Sequence, residues 1–301
     1  MKILTIGALL LATAACGAQS LSDSGSSTAA AKPALDQAPA DDQAAAVINA
    51  IQPDTALKVP DSIKDGLKIT TSVGYPPMEQ FATDGKTPVG LDPSLARAIA
   101  RKLGVKLSIT DEEFNSQIPG VLSGRYDFVM SSMSDTKERQ AQVTFVDYVK
   151  AGAGMLTKGG PVTDVCGKTV SVVDNGSSLK LAETYEAKCK KDGKPAVEIL
   201  KFPGDQEALM QVSNGRAQVN FTDYVVAAHK AADASLKLTA TPVEGTESPW
   251  GMGFKPDNKE LVDAVKGALD SLIKSGEYAS ILKAWNLDRL AVQTAEINGG
   301  S

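Results

Sequence analysis

Residues 126–139 read Tyr-Asp-Phe-Val-Met-Ser-Ser-Met-Ser-Asp-Thr-Lys-Glu-Arg, and this stretch decides how the rest of the chain is interpreted. The apolar run in its first half is typical of a short buried strand. Ser131, Ser132 and Ser134 follow the run, and Arg139 comes five residues after the last of them. Ligands of α/β sheets bind at the carboxyl ends of strands, and a guanidinium offers a rigid fork of donors to a carboxylate. The stretch therefore indicates a carboxylate site, with a serine-rich turn and a solvated arginine as the alternative.

The composition is that of a globular protein without a nucleic-acid partner. The chain has 301 residues, of which 31 are Lys or Arg and 36 are Asp or Glu, and its net charge is −5. This length suffices for one large domain or two medium ones. Because the basic residues are scattered rather than clustered, nucleic-acid binding is not expected. The sequence has no GxxxxGKS/T or GxGxxG run, so it offers no recognised loop for a nucleotide phosphate.

The N-terminus has the layout of an export signal. Lys2 precedes an apolar stretch, and small residues then lead to Cys16. Residues 11–16, Leu-Ala-Thr-Ala-Ala-Cys, resemble a bacterial lipobox, which predicts a lipoprotein-type signal peptide over residues 1–16 and lipidation of Cys16. Thr13 stands where leucine is usual, and ordinary cleavage to a secreted protein is the alternative.

Two segments are predicted to be flexible. Residues 17–62 are rich in Ala, Ser, Asp, Gln and Pro and have few large apolar side chains. Such a composition cannot form a core of its own and predicts a tether. Residues 289–301 follow the last helical pattern and are expected to form a flexible tail.

Cys166 and Cys189 are expected to form a disulfide. An exported chain occupies an oxidising compartment, where disulfides persist. A pair of buried free thiols is the alternative. A metal site is not expected, because no histidine lies near either cysteine.

Strand and helix patterns alternate in two series. The first series has strands at 67–73, 105–109 and 127–130 and helices at 92–103 and 117–122. The second has strands at 169–173, 197–200 and 219–221 and helices at 178–190 and 206–213. In the first long helix, Asp92 is the expected N-cap and Gly104 the terminator. Two such series predict two parallel-sheet lobes.

Glycine-rich runs at 151–154 and 251–254 are expected to carry the chain from one lobe to the other and back. Helical patterns at 259–274 and 277–285 follow the second run.

The stretch from 67 to 288 resembles the family 3 extracellular solute-binding proteins, the polar amino-acid receptors of bacterial ABC importers. The motifs that carry the resemblance are Tyr75-Pro76-Pro77-Met78-Glu79, Val89-Gly90-Leu91-Asp92, Ile118-Pro119, Gly124-Arg125-Tyr126-Asp127, and Ser131 to Arg139 with Thr136 in register. Pro93 and Ser94 depart from the family pattern but keep a sound helix start. The resemblance implies a two-lobe periplasmic-binding-protein-like fold of type II, with each lobe a mostly parallel sheet flanked by helices and the ligand in the cleft between the lobes.

The resemblance also implies the lobe boundaries. Residues 63–152 and the return segment 249–288 are expected to form the first lobe. Residues 153–248 are expected to form the second.

A set of ligand contacts follows from the same resemblance. Arg139 is expected to bind the α-carboxylate of an amino acid, with help from Ser132 and Ser134. The turn at Ser177 and Ser178 adds donors from a helix N-terminus.

The remaining contacts hold the ammonium group and the side chain of the ligand. Asp223 is expected to hold the α-ammonium together with Ser132. The side-chain pocket is expected to consist of Ser72, Tyr75, Phe114 and Asp174. Asp174 would favour a cationic or amide-bearing ligand, since an unpaired like charge in a closed cleft is costly.

The function implied is the extracytoplasmic substrate-binding component of an ABC amino-acid importer. It would be a monomer, anchored to the outer face of the membrane by its lipid, that docks on a membrane permease and needs no cofactor, metal ion or catalytic residue. His229 is the sole histidine, and it is interpreted as a surface or packing residue, so no Ser-His or Cys-His pair is expected. Two alternatives stay open: a dehydratase-type enzyme with Asp174 as general acid, and an amino-acid sensor for a membrane kinase.

Overall fold

The computed structural model describes residues 35–301. The predicted signal peptide, its Cys16 and the first part of the predicted tether, residues 17–34, lie outside the described residues. Within 35–301, no helix combines the length and the apolar character that crossing a lipid bilayer requires.

The described residues form twelve strands and nine α-helices, numbered in chain order. The strands are β1 (Leu67–Thr71), β2 (Gln80–Phe81), β3 (Pro88–Val89), β4 (Leu107–Asp111), β5 (Phe128–Val129), β6 (Thr144–Ala151), β7 (Ala153–Lys158), β8 (Thr169–Val173), β9 (Glu198–Phe202), β10 (Val219–Asp223), β11 (Leu238–Pro242) and β12 (Ser248–Phe254). The helices are α1 (Ala45–Ala50), α2 (Leu91–Leu103), α3 (Phe114–Leu122), α4 (Lys137–Gln140), α5 (Ser177–Lys191), α6 (Asp205–Ser213), α7 (Tyr224–Ala231), α8 (Lys259–Ser275) and α9 (Glu277–Ala284).

The strands build two five-stranded sheets, one in each lobe. The first has the order β4-β1-β5-β12-β6 and the second β11-β7-β10-β8-β9. In the first sheet β4, β1 and β5 are parallel, whereas β12 is antiparallel to both of its neighbours. In the second, β10, β8 and β9 are parallel, whereas β7 is antiparallel to both of its neighbours, β10 and β11. The predicted pair of α/β lobes is confirmed, and each sheet is mixed because the strands next to the crossovers join as antiparallel partners.

Two extended connections join the lobes side by side. The outward connection is very short, since β6 ends at Ala151 and β7 begins at Ala153. The return connection lies between β11 and β12, where Val243 N donates to Ala153 O over 2.9 Å. These two connections, which run in opposite directions, are the only backbone passages between the sheets in the described chain, which makes them the hinge.

The glycine-rich run 251–254, predicted to be a crossover, lies inside β12 instead. A Cβ atom on Gly251 would come within 2.7 Å of the Phe145 ring, and one on Gly253 within 2.9 Å of the Val129 side chain. The glycines therefore serve close packing in the first lobe, and the return connection precedes them.

Helix α2 ends where the sequence predicts, but its N-cap is a different residue from the one predicted. Gly104 ends it in the left-handed conformation (φ +71°), as predicted. Its N-cap is Gly90 rather than Asp92, which is the second residue of the helix and is fully buried. The Asp92 carboxylate accepts from Ser132 N (2.6 Å) and Tyr148 Oη (2.7 Å), so it stabilises the loop after β5.

Residues 35–62 belong to the first lobe, and the prediction of a flexible tether is wrong for them. Ile48 in α1 and Ile51 after it are 0% and 1% exposed in the core of that lobe, where α1 contacts α2 and α9. The Arg101 guanidinium fixes the same segment by donating to Asn49 O (2.9 Å) and Ile51 O (3.3 Å). Residues 35–62 need few apolar side chains, because they pack onto the core of the first lobe and do not form a core of their own.

Residues 291–300, named here the C-terminal strap, lie along β6, so the prediction of a flexible tail is also wrong. Ile297 forms an isolated bridge with Val146. Asn298 Oδ1 accepts from Phe145 N (2.8 Å), and Asn298 N donates to Phe145 O (3.2 Å). Because β6 is the last strand of its sheet, its free backbone groups are available to this segment.

The predicted disulfide is confirmed. Cys166 and Cys189 are bonded, with their Cα atoms 5.6 Å apart, and the bond joins the chain before β8 to the last turns of α5. Both residues lie in the second lobe, and Cys189 is 1% exposed.

Candidate functional site

A cavity of about 300 Å³ lies between the two lobes. The connections after β1, β5, β8 and β9 and the end of β10 form its walls. All of these are carboxyl ends of strands, which is where the strand-end rule places ligands. The cavity therefore occupies the position expected from the sequence.

Nine of the ten predicted ligand residues line this cavity. The first lobe provides Ser72, Tyr75, Phe114, Ser132, Ser134 and Arg139, and the second provides Ser177, Ser178 and Asp223. His229 is exposed on α7 and does not line it.

Asp174 is the predicted residue that the structure does not bring to the cavity. Its neighbours Val173 and Gly176 line the wall, but Asp174 does not. Its carboxylate accepts from Asn175 N at 3.1 Å, and Asn175 has a left-handed backbone (φ +56°). The expectation that Asp174 belongs to the side-chain pocket is wrong, and so is its assignment as a general acid in that pocket.

Arg139 spans the cleft. It stands on α4, whose N-cap hydroxyl, Thr136 Oγ1, accepts from Arg139 N (3.3 Å). Nη1 donates to Ser134 O (3.0 Å) in the first lobe, and Nη2 donates to Asn175 O (2.9 Å) in the second. The guanidinium also lies 5.3 Å from the centre of the Phe114 ring. Burial lowers the pKa of Arg139 from its usual value.

Tyr75 and Asp223 form a second link between the lobes. The Tyr75 hydroxyl donates to Asp223 Oδ2 over 2.6 Å, and Asp223 N donates to the Tyr75 oxygen over 3.1 Å. Burial raises the pKa of Asp223 to about 7, with a further contribution from Asp205, while Tyr75 and Arg139 act in the opposite direction. The lobes thus already meet through groups that line the cavity.

Three acidic residues that line the cavity are not among the predicted ligand residues: Glu79, Asp205 and Glu207. Burial, and then the charge of Asp92, raise the pKa of Glu79 well above its usual value. Burial raises the pKa of Asp205 to about 6. Asp205 and Glu207 come after β9, so the strand-end rule applied to every strand would have found them, and Glu79 belongs to a motif quoted above.

Carboxyl groups dominate the charge of the cavity. Four acidic residues line it, Glu79, Asp205, Glu207 and Asp223, whereas Arg139 is its single cationic lining residue. Glu79 is 1% exposed and its carboxyl group lies against that of Asp92, whereas Asp205 Oδ1 accepts from the Thr222 hydroxyl over 2.9 Å. Gathering acidic groups in a cleft without a compensating charge is costly. The arrangement therefore favours an occupant that brings positive charge.

The loop after β5 presents its serines with an unusual backbone. Ser132 is a non-glycine residue in the left-handed region (φ +47°). Its Oγ lies 3.2 Å from Asp92 Oδ2, the atom that also accepts from Ser132 N. The buried carboxylate of Asp92 therefore stabilises a conformation that few residues adopt unaided.

Comparison with known proteins identifies the family. The model of the bacterial extracellular solute-binding proteins, family 3, matches residues 67–288. The chain belongs to this family. Its members are substrate-binding proteins rather than enzymes, and they act outside the cytoplasm.

Individual family members show the same likeness. The arginine-binding protein ArgT of Corynebacterium glutamicum is 27% identical over 258 residues, which are 82% of this chain and 83% of that protein. ABC transporter arginine-binding protein 1 of Escherichia coli is 28% identical over 234 residues, 74% of this chain and 92% of that protein. An ancestral arginine-binding protein bound to arginine matches with a TM-score of 0.68 and 30% identity, covering 74% of this chain and 99% of that one. The family and the two-lobe fold predicted from the sequence are both confirmed.

Proposed function

We propose that the protein is the substrate-binding component of an ABC importer for a cationic amino acid, with arginine as the first candidate. The observation that carries this proposal is the charge of the cavity, which has four acidic lining residues and one guanidinium. The names of the arginine-binding relatives support the same ligand.

Arg139 binds the α-carboxylate of the ligand in this proposal. Its guanidinium now donates to two backbone oxygens, one in each lobe, and its charge has no carboxylate partner within 4 Å in the described residues. Ser134 and the turn at Ser177 and Ser178 add donors, the latter from the N-terminus of the fifteen-residue helix α5. A carboxylate is the ligand group that this set of donors suits best.

The acidic residues bind the positive groups. Asp223 lies beside Arg139 and takes the α-ammonium, replacing the hydroxyl of Tyr75 as its donor. Glu79, Asp205 and Glu207 are the other acidic residues of the cavity wall and provide the negative charge for a cationic side chain. An acidic ligand would add a further negative charge to this acidic wall and is disfavoured.

The lobes close on the ligand about the two side-by-side connections at the hinge. Closure brings Tyr75 and Arg139 of the first lobe against Asp223 and Asn175 of the second, as the present contacts illustrate. A ligand that contacts both lobes stabilises the closed form, because it adds bonds that the open form lacks. The closed form then docks on a membrane permease. Lipid at Cys16 would keep the protein at the outer face of the membrane.

The direct test is binding of individual amino acids to the purified protein. We expect L-arginine to bind with a micromolar dissociation constant, which corresponds to about 8 kcal/mol. At a hundredfold excess over that constant it should stabilise the fold by about 2.7 kcal/mol. L-glutamate should have no effect. Isothermal titration calorimetry and thermal unfolding would measure both, with L-lysine, L-histidine and L-glutamine as intermediate cases.

Glutamate binding as tight as arginine binding would refute the cationic ligand, and no binding by any amino acid would refute the receptor. Transport is tested separately in cells that lack the gene. Loss of arginine uptake is expected, whereas normal uptake with altered signalling would indicate the sensor.

Binding should weaken as the solution becomes acidic. In the free protein Asp223 has a pKa of about 7, and a bound ammonium favours its ionised form. Binding below pH 7 therefore releases a proton, so the dissociation constant should rise about tenfold for each pH unit below about 7 and stay level above it. Calorimetry in buffers of different ionisation enthalpy should show close to one proton released at pH 6 and almost none at pH 8.5. An affinity that rises on acidification would contradict the role of Asp223.

A further inference from the structure

We propose that the C-terminal strap positions Arg139 for ligand binding, a role that rests on the carboxylate site proposed above. The strap lies beyond the stretch that matches the family model, which ends at residue 288. Arg139 stands on α4, a helix of four residues. A helix this short is not stable by itself, so its orientation depends on what surrounds it.

The end of the strap is bound to the residue that precedes the cap of α4. Gly300 N donates to Asp135 Oδ2 over 2.8 Å in a buried contact. A Cβ atom on residue 300 would lie 1.7 Å from Asp135 O, so this approach requires glycine. Asp135 is fully buried and follows Ser134, whose carbonyl oxygen accepts from Arg139 Nη1. Displacement of Asp135 would therefore move a direct partner of the guanidinium.

The strap also contacts the last residue of α4. Gln140 Nε2 lies 3.2 Å from Asn298 O and 3.2 Å from Gly300 O, and it donates to Asp135 Oδ1 over 2.8 Å. The strap thus holds the helix of Arg139 on both sides, before its cap through Asp135 and at its end through Gln140.

Two N–H groups of the strap donate to a pair of neighbouring carboxyl groups, those of Asp135 and Asp147. Gly299 N donates to Asp147 Oδ2 over 3.0 Å, as Gly300 N does to Asp135. Burial, and then the charge of Asp135, raise the pKa of Asp147 to about 7. Without the strap these carboxyl groups would lose two backbone donors, and Asp135 would lose the contact that fixes its position next to α4.

The test compares Gly300→Ala and a deletion of residues 297–301 with the unaltered protein. The dissociation constant for L-arginine should rise about tenfold in each, the effect expected when one hydrogen bond that supports a charged group is lost. Backbone hydrogen exchange measured by mass spectrometry should become faster in residues 134–143, while residues 219–231 in the second lobe should be unchanged. Gln293→Ala, an exposed position in the same strap, is the matched control and should alter neither quantity.

A strap that serves stability alone would lower the urea midpoint while the dissociation constant and the exchange of 134–143 stayed at their original values. That result would overturn the proposal. If the unaltered protein binds no amino acid, the proposed function fails. Backbone hydrogen exchange in residues 134–143 would still show whether the strap supports α4. Unchanged exchange in both variants would overturn the proposal, and faster exchange would uphold it.

Discussion

Replacing Arg139 with alanine should severely weaken the binding of arginine. The guanidinium is the single cationic group in the cavity wall, and the ligand carboxylate would otherwise meet four acidic residues. Truncating one partner of a buried charge pair costs about 2–5 kcal/mol, roughly a 30- to 5000-fold loss of affinity. Isothermal titration calorimetry measures this loss directly.

Arg125→Ala is the matched control. Arg125 lies on the first lobe outside the cavity and forms an exposed ion pair with Glu112 at 3.1 Å. Exposed pairs contribute about 0–1 kcal/mol, so this variant should bind normally. If the Arg139 variant bound arginine within a few-fold of the unaltered protein while remaining folded, the carboxylate site would be assigned wrongly.

Replacing Ile48 with alanine should lower the free energy of unfolding by about 2–5 kcal/mol. Ile48 is 0% exposed and packs in the core of the first lobe, although the segment that carries it was predicted to be a tether. Removing most of a buried side chain forfeits its transfer free energy and leaves a cavity. Urea unfolding followed by circular dichroism would measure the change.

Met210→Ala serves as the comparison, because Met210 is 53% exposed on α6 and should change stability by less than about 0.5 kcal/mol. An equally small effect at Ile48 would mean that residues 35–62 do not contribute to the core. A protein that starts at residue 60 would lack Ile48 and Ile51 altogether, and we expect it to fold poorly.

Local sequence patterns sufficed for much of the site. Strand ends, the serines after β5 and the family motifs brought nine predicted residues to the cavity wall. Asp174 failed because the turn after β8 passes through the left-handed Asn175, and its carboxylate binds the adjacent N–H instead. A motif match fixes the position of a residue in the chain, but the direction of its side chain depends on the backbone of the turn.

The missed features depend on tertiary contacts. Ile48 and Ile51 are two apolar residues in a polar stretch, and only the groove between α2 and α9 gives them a place to pack. The acidity of the cavity arises because acidic residues from both lobes, Glu79 of the first and Asp205 of the second, line the same cleft. Neither arrangement leaves a periodic pattern, which is why composition predicted a tether and the motifs revealed only part of the charge.

The first sheet cannot be completed in the order in which the chain is made. β12 lies between β5 and β6, yet it comes last among the described strands, after the whole second sheet. The second lobe, by contrast, is continuous from β7 to β11 and contains its own disulfide. Because pairing between distant segments is slow, the second lobe should fold while β5 and β6 still present open edges. Open edges invite aggregation, so the chain is most vulnerable until β12 is available to close the gap between β5 and β6.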